Sequence, residues 1–209
     1  MPEHPHFARF YERMIAGSER AGLARMRHDL LATAEGRTLE VGAGTGLNLP
    51  SYPSSVASLT LTEPDPHMAR RLRERLAADG PPAGIETEMI YAGAEALPFE
   101  DGSFDTVVST LVLCAVPSSA DSLKKIRRVL AEGGSFLYLE HVRGQGPVLS
   151  WWQDRLNRPW GAIAGGCNLN RPTGDLLAEA GFDVDSMERT SMPKAPPWVR
   201  PMIRGRASR

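Results

Sequence analysis

The chain has 209 residues, enough for one domain with a full core, and its 42% hydrophobic content is ordinary for a globular protein. A formal net charge of -1 supplies no electrostatic reason to bind nucleic acid, and no apolar run reaches the roughly 18 residues of a membrane-spanning helix. Two cysteines and five histidines without metal-ligand spacing exclude a disulfide framework and leave no metal site to propose.

The amino terminus, MPEHPHFARFYERM, is polar and broken by proline, unlike a signal peptide, so the expected location is cytoplasmic. Over residues 6–31 Phe7, Phe10, Tyr11, Met14 and Ile15 fall at helical spacing, and Leu23, Met26, Leu30 and Leu31 continue after Gly22. Two readings are open for this segment. It packs on the domain, or it forms a lid over residues 1–35 in which Phe10 or Tyr11 closes on bound ligands. A weak membrane-surface contact is left open, although no strong basic face supports it.

Thr38 to Gly46, TLEVGAGTG, reads as a strand emptying into a tight turn, because Gly42, Gly44 and Gly46 tolerate positive φ and admit a ligand close to the backbone. About twenty residues on, a second strand (Val56, Leu59, Leu61) ends at Glu63, a carboxylate placed to accept both hydroxyls of a ribose. Together they outline a nucleoside pocket at the carboxyl ends of two parallel strands. Dinucleotide sites use GxGxxG and a helix N-terminus for the pyrophosphate. Here the spacing is GxGxG and the next segment carries Pro50 and Pro53, which counts against a nicotinamide-dependent oxidoreductase.

A helix follows, with Pro66 in its first turn, Met68, Leu72 and Leu76 on one face and Gly80 as its stop. Residues 85–91 alternate as a third strand, Ala94 and Glu95 follow it, and Asp101-Gly102 turns into the apolar strand Phe104 to Leu111. A helix from Ser122 to Leu130 leads into a fifth strand, Ser135 to Leu139. Strand and helix alternating this regularly predict a parallel sheet with helices on both faces and a ligand cleft along its carboxyl edge. Beyond Glu140-His141 an insert holds three of the four tryptophans, Trp151, Trp152 and Trp160, and the polar groups Asn168 and Arg171. It is either a small core of its own or the wall of an apolar substrate pocket. A helix from Pro172 to Ala180 follows, and Phe182 to Val184 and the stretch around Trp198 to Arg206 are expected to complete the sheet.

The run EVGAGTG, with Glu40 two residues before Gly42, resembles the first motif of class I S-adenosylmethionine-dependent methyltransferases. More closely, STLVLCAV after strand four, Glu140-His141 before a Trp-rich insert, GCNL at Gly166 to Leu169 and the closing PPWVRPMIRGRA look like the small thiol S-methyltransferases, whose mammalian members are membrane-associated. This resemblance runs from about Arg27 to the carboxyl terminus; the hydrophobic amino-terminal anchor of those members is not seen, and a soluble relative is expected.

The resemblance implies an α/β, Rossmann-like, seven-stranded sheet with an N-terminal helical lid and a Trp-rich insert after strand five. It divides the single domain into a cofactor core over 36–141, a substrate-covering insert over 142–171, and a C-terminal helix and strands over 172–209. S-adenosylmethionine is the implied cofactor and S-adenosylhomocysteine the product. The cofactor set along the cleft is Glu40, Gly42, Ala43, Gly44, Gly46, Asn48, Glu63, Pro64, Met68, Ala94, Glu95, Thr110 and Leu111. The acceptor set is Phe10, Tyr11, Trp151, Trp152, Trp160, Asn168 and Arg171, and the implied partner is a small-molecule methyl acceptor. A broader similarity, in AEALPF and FDTVVS, to quinone C-methyltransferases and soluble phosphatidylethanolamine N-methyltransferases keeps C-, O- or N-methylation as the alternative.

Ionising a thiol of pKa about 8.5 costs only about 2 kcal/mol at pH 7, against about 4 for a phenol near 10. A thiol acceptor therefore suits a sequence without a Ser-His-Asp or paired-carboxylate arrangement at the cleft. His141, directly after strand five, is the single catalytic candidate, as a base or as a group stabilising thiolate; alternatively it hydrogen-bonds backbone to fix the insert. Cys114 and Cys167 fall near the cleft, are read as small buried hydrophobes, and receive no catalytic role.

Overall fold

The computed structural model describes residues 5–82 and 84–209, so the first four residues of the N-terminal segment lie outside the described residues. Helix α1 (Pro5–Ser18) runs through a wide turn (Glu19–Leu23), where Gly22 takes φ 134°, into α2 (Ala24–Leu31). Strand β1 (Gly36–Val41) opens the sheet and is followed by β2 (Val56–Thr62), α3 (Pro66–Asp79), β3 (Glu86–Ile90), β4 (Phe104–Thr110), α4 (Ser119–Val129) and β5 (Leu130–His141). Helices α5 (Pro147–Ile163) and α6 (Thr173–Glu179) precede β6 (Asp183–Ser191) and β7 (Pro201–Ser208).

The sheet order is β3-β2-β1-β4-β5-β7-β6. Strands β1 to β5 pair in parallel, and β7 runs antiparallel to both β5 and β6. The chain leaves β1 first to one side and returns at β4 on the other, so a crevice opens between the carboxyl ends of these two neighbours, where α/β sheets of this kind bind ligands. The registers Val41↔Ser109 and Val41↔Thr62 bring those ends level, which sets the glycine turn beside the residues that follow β2 and β4.

Local chemistry explains most boundaries. Asp65 caps α3 by accepting from the backbone N–H of His67 (2.8 Å) and Met68 (3.2 Å), Pro66 needs no N–H in the first turn, and Gly80 ends the helix at φ 78°. Helix α4 begins earlier than its apolar face suggests, because the Ser118 hydroxyl caps it through Asp121 N–H. Its Leu123, Ile126 and Val129 are fully buried against Val107, Phe136 and Phe104 of the sheet. Burying side chains of this size stabilises the fold by about 1.5–3 kcal/mol each. On the sheet's other face Leu59, Leu61, Leu72 and Val108 form a second cluster.

Two strand expectations are corrected. Strand β5 starts at Leu130 instead of Ser135, with a register shift that absorbs the EGG residues. Strand β6 extends to Ser191, while Trp198 lies in the turn before β7. The exposed edge of β6 carries Asp185 and Glu188, paired with Arg206 (3.5 Å) and Arg204 (2.7 Å) of β7, a charged edge that discourages further strand pairing. Among the described residues no helix is long and apolar enough to cross a membrane.

Candidate active site

A cavity of about 630 Å³ runs from the carboxyl edge of the sheet outward between α1, the end of α5 and the loop before β7. Its inner wall is the glycine turn. Gly42 sits at φ 66° and a Cβ there would meet both methyl groups of Val112 at 2.8 Å, so only glycine fits. Gly44 takes φ 60° with open space where a side chain would be. Gly46 does not line the cavity: a Cβ there would meet Leu72 and Leu49, so this glycine lets α3 pack against the turn.

Glu63 is buried and accepts from the backbone N–H of Gly44 (2.8 Å) with one oxygen and from that of Asp65 (2.9 Å) with the other. Burial pushes its carboxyl up to about 7, against the pull of these two N–H donors. Glu40, also buried, accepts from Tyr52 OH (2.6 Å) and Asn48 Nδ2 (2.9 Å) and is likewise pushed up to about 7 by burial. Asn48 also bonds Thr110 Oγ1 (2.9 Å), tying the segment after the turn to the end of β4. Leu111, the next residue, is held at φ 62°, a sparsely populated conformation for a side-chain-bearing residue, and lines the cavity.

Arg27 of α2 is absent from the sequence-derived set. Its guanidinium is buried and donates to Thr110 Oγ1 (2.7 Å) and Asn48 Oδ1 (3.0 Å) on the cavity wall, and to Glu19 Oε1 (3.1 Å) behind it. The available signal is an arginine on the apolar face of α2, four residues after the buried Leu23 and four before the buried Leu31.

Pro64, Met68, Ala43, Ala94 and Thr110 all line the cavity as expected along this edge. Glu95 does not: its carboxylate turns back to the N–H of Ser118 (3.4 Å) at the start of α4.

The outer wall departs further from expectation. Tyr11 lines the cavity, but Phe10 is 47% exposed under Arg9, and Phe7 takes its place by packing against Gly165. On α5 only Trp160 reaches the cavity; Trp151 and Trp152 are about half exposed and meet each other edge to face. The reason is helical phase. The buried face of α5 carries Gln153, which bonds Gly144 N–H (2.7 Å) and the carbonyls of Val142 and Trp198, and Asn157, which bonds Leu169 N–H (2.8 Å). Trp160 follows Gln153 by two turns, whereas Trp151 and Trp152 stand on the outer side.

Asn168 and Arg171 line the cavity yet spend their polar groups on structure. Asn168 donates to the carbonyls of Cys114 (3.1 Å) and Gly166 (2.9 Å), and Arg171 holds Leu113 O (3.1 Å), Val116 O and Ser119 Oγ. The loop Met192 to Val199 closes this wall with Met192, Ala195 and Val199, which pack with Ile15, Ala164, Cys114 and Cys167 in one apolar cluster.

His141 lies on the wall, 6% exposed, and burial pushes its imidazole down to about 4, with the carbonyls of Pro201 and Val199 opposing. It is therefore neutral at pH 7, and its Nδ1 is buried without a partner. Thr45 Oγ1 is also buried and unpartnered on the wall.

A sheet-edge pocket with a buried acidic acceptor and close-approach glycines has the features of a nucleoside-binding crevice on a doubly wound sheet. A methyltransferase-domain family model matches residues 39–138. The chain is 31% identical over 202 residues to the human thiol S-methyltransferase TMT1A, covering 96% of this chain and 82% of that one. It is 37% identical over 172 residues to the human thiol S-methyltransferase TMT1B, covering 81% and 69%. A phosphatidylethanolamine N-methyltransferase of Cereibacter sphaeroides is 36% identical over 116 residues, about half of each chain.

Among solved structures, a SAM-dependent methyltransferase of Thermotoga maritima has the same fold (TM-score 0.65, 23% identity, 97% of each chain), as does a geranyl diphosphate methyltransferase in complex with SAM (TM-score 0.68, 14% identity, 90% and 85%). The chain belongs to the S-adenosylmethionine-dependent methyltransferase family that includes the thiol S-methyltransferases. The wall fits that cofactor: a buried carboxylate for hydroxyls, glycines without Cβ obstruction, a cationic guanidinium and an unpartnered hydroxyl.

Proposed function

We propose that this chain methylates the sulfur of a small, apolar thiol. The observation that carries the reading is the outer wall: Phe7, Tyr11, Met14, Ile15, Trp160, Met192 and Val199 surround the space next to the cofactor edge, and no carboxylate stands among them. The thiol S-methyltransferases that align over most of the chain support the same acceptor.

In this reading Glu63 takes the ribose hydroxyls, the turn Gly42–Gly44 admits the cofactor to the backbone, Ala94 borders the base, and Arg27 answers the carboxylate end. S-adenosylmethionine supplies a methyl group already activated on a sulfonium and leaves as S-adenosylhomocysteine. The protein's task is to hold the acceptor sulfur in line and keep water out, and such positioning supplies roughly 7–11 kcal/mol. The aromatic and aliphatic wall does both. An imidazole held near 4 is too weak a base to strip a thiol of pKa about 8.5, so the acceptor ionises by its own acidity, at about 2 kcal/mol at pH 7, and His141 acts as a neutral wall group. The cation of Arg171 on the same wall favours the thiolate.

The test is a mass-spectrometric screen of the full chain with S-adenosylmethionine and a panel of thiols, catechols, quinols and amines. Methylated thiols are expected, with S-adenosylhomocysteine released in equal amount. Cofactor turnover with only an amine, hydroxyl or ring carbon methylated overturns the thiol reading and leaves the cofactor assignment standing.

A further inference from the structure

Methyl transfer to a thiol needs neither cysteine, yet both Cys114 and Cys167 line the acceptor cavity. They come from different elements, Cys114 from the loop after β4 and Cys167 from the turn after α5, and the fold brings them together deliberately. The backbone N–H of Asn168 donates to Cys114 O (2.7 Å) and the Asn168 side-chain amide donates to the same oxygen (3.1 Å), so the two segments run side by side. Both thiols sit in one apolar cluster, and the Cys114 thiol donates to Leu111 O (3.7 Å).

The surroundings distinguish the two thiols. The neighbouring Cys114 thiol holds the Cys167 thiol below its usual range; burial and Glu140 oppose this, and the Trp160 indole and the cation of Arg171 act with it. The adjacent Cys167 and burial push the Cys114 thiol up, with the cation of Arg171 opposing. Cys167 is also the more accessible, at 8% exposure against 1% for Cys114. A thiolate-prone outer cysteine backed by a protonated inner one is the arrangement that attacks a disulfide and then resolves the mixed disulfide.

We propose that Cys114 and Cys167 form a dithiol that reduces disulfides entering the acceptor cavity, so that the protein generates in place the thiolate it then methylates. In the first step the Cys167 thiolate attacks one sulfur of R–S–S–R, forming Cys167–S–S–R and releasing one RS⁻. In the second, Cys114 gives up its proton to solvent and its thiolate attacks the Cys167 sulfur, forming the Cys114–Cys167 disulfide and releasing a second RS⁻. Two electrons pass from the protein dithiol to the substrate disulfide. Reduction of the new protein disulfide by an external dithiol, of the small-molecule or CxxC-protein class, resets the pair. The methyl-accepting half of this sequence rests on the thiol-acceptor reading; the exchange half does not.

The experiment uses the reduced full chain, freed of reductant, with 2,2′-dithiodipyridine as the disulfide. Rapid mixing of the folded protein is expected to release about two equivalents of pyridine-2-thione, and intact mass is expected to fall by about 2 Da as the intramolecular disulfide forms. With Cys114→Ser the reaction is expected to stop at the Cys167 mixed disulfide with about one equivalent released, and with Cys167→Ser the release slows at least about tenfold. With S-adenosylmethionine present, methylated thione is expected from the disulfide alone. No thione release before denaturation, or adducts on both cysteines without an intramolecular disulfide, overturns the proposal in the wild-type protein whether or not the variants fold. Thione release without methylation of it, or of any free thiol, leaves the exchange standing and counts against the thiol acceptor instead.

Discussion

The end of the cavity at the sheet edge, proposed to hold the cofactor, and the outer end, proposed to hold the acceptor, differ in how far apart in the chain their walls lie. The first is made by residues that directly follow parallel strands: Gly42 to Thr45 after β1, Glu63 to Asp65 after β2, and Leu111 and Val112 after β4. The second is assembled from α1, the end of α5 with the turn at 164–168, and the loop before β7, segments separated by most of the sequence. A sheet edge is rigid because each strand is fixed by its neighbours, and polar groups placed there can be held to hydrogen-bond precision. An apolar wall of three helical or loop segments selects by shape and can change acceptor without disturbing the cofactor site. The comparison predicts that substitutions at the two ends separate cleanly into cofactor and acceptor effects.

The largest effect is expected from Gly42→Val. Strained φ and collision with Val112 each cost about 1–3 kcal/mol, so cofactor affinity measured by calorimetry should fall at least about 30-fold. Binding that survives at near wild-type strength would mean that the glycine turn is not the rigid inner wall.

Next is Glu63→Gln, which should weaken S-adenosylmethionine binding by roughly 1.5–3 kcal/mol, the range for hydrogen bonds to a charged acceptor. The pH dependence sharpens this test. With its carboxyl pushed up to about 7, Glu63 is partly protonated near neutrality in the free protein, and only the ionised form accepts from both hydroxyls. Cofactor affinity is therefore expected to rise between about pH 6 and pH 8. Glu40 titrates over the same range, so the informative quantity is how much of that rise Glu63→Gln removes.

At the acceptor end Trp160→Ala should raise the acceptor KM about tenfold through loss of buried aromatic contact, with cofactor affinity unchanged, while Trp151→Ala and Trp152→Ala stay within about threefold. Equal effects of all three would mean that the outer face of α5 also meets substrate.

The smallest effect is expected from His141→Gln. Because the imidazole is neutral above about pH 4, the pH-rate profile should keep following the acceptor thiol's own ionisation, and the rate should change by less than about tenfold. Disappearance of a pH-dependent limb in this variant would restore His141 as the base.

The uneven legibility of the molecule follows from the same contrast. That Gly42, Gly44 and Glu63 line the cleft could be read from sequence because their positions depend on backbone conformation and on the distance from one strand end to the next, both local properties. Gly46 was readable as a glycine but not as a packing residue, since Leu72 comes against it from a helix about 25 residues away. Trp151, Trp152 and Phe10 attract attention by composition, yet which side of a helix meets the cavity depends on what the other side is anchored to. On α5 the anchors are the amides of Gln153 and Asn157, so its buried face is polar and two of its three tryptophans are turned outward.

By itself the sequence determined the alternating strands and helices, the glycine turn after β1 and the acidic residue after β2, because φ preference, hydrophobic period and element length act within a few residues. Only the tertiary structure decided that Arg27 lines the inner end of the cavity, that Phe7 replaces Phe10 on its wall, that Glu95, Asn168 and Arg171 spend their polar groups on the scaffold, and that Cys114 and Cys167 share one apolar cluster. Each of those outcomes is a choice of partner across the fold, and a buried polar group or thiol takes whichever partner packing brings within reach.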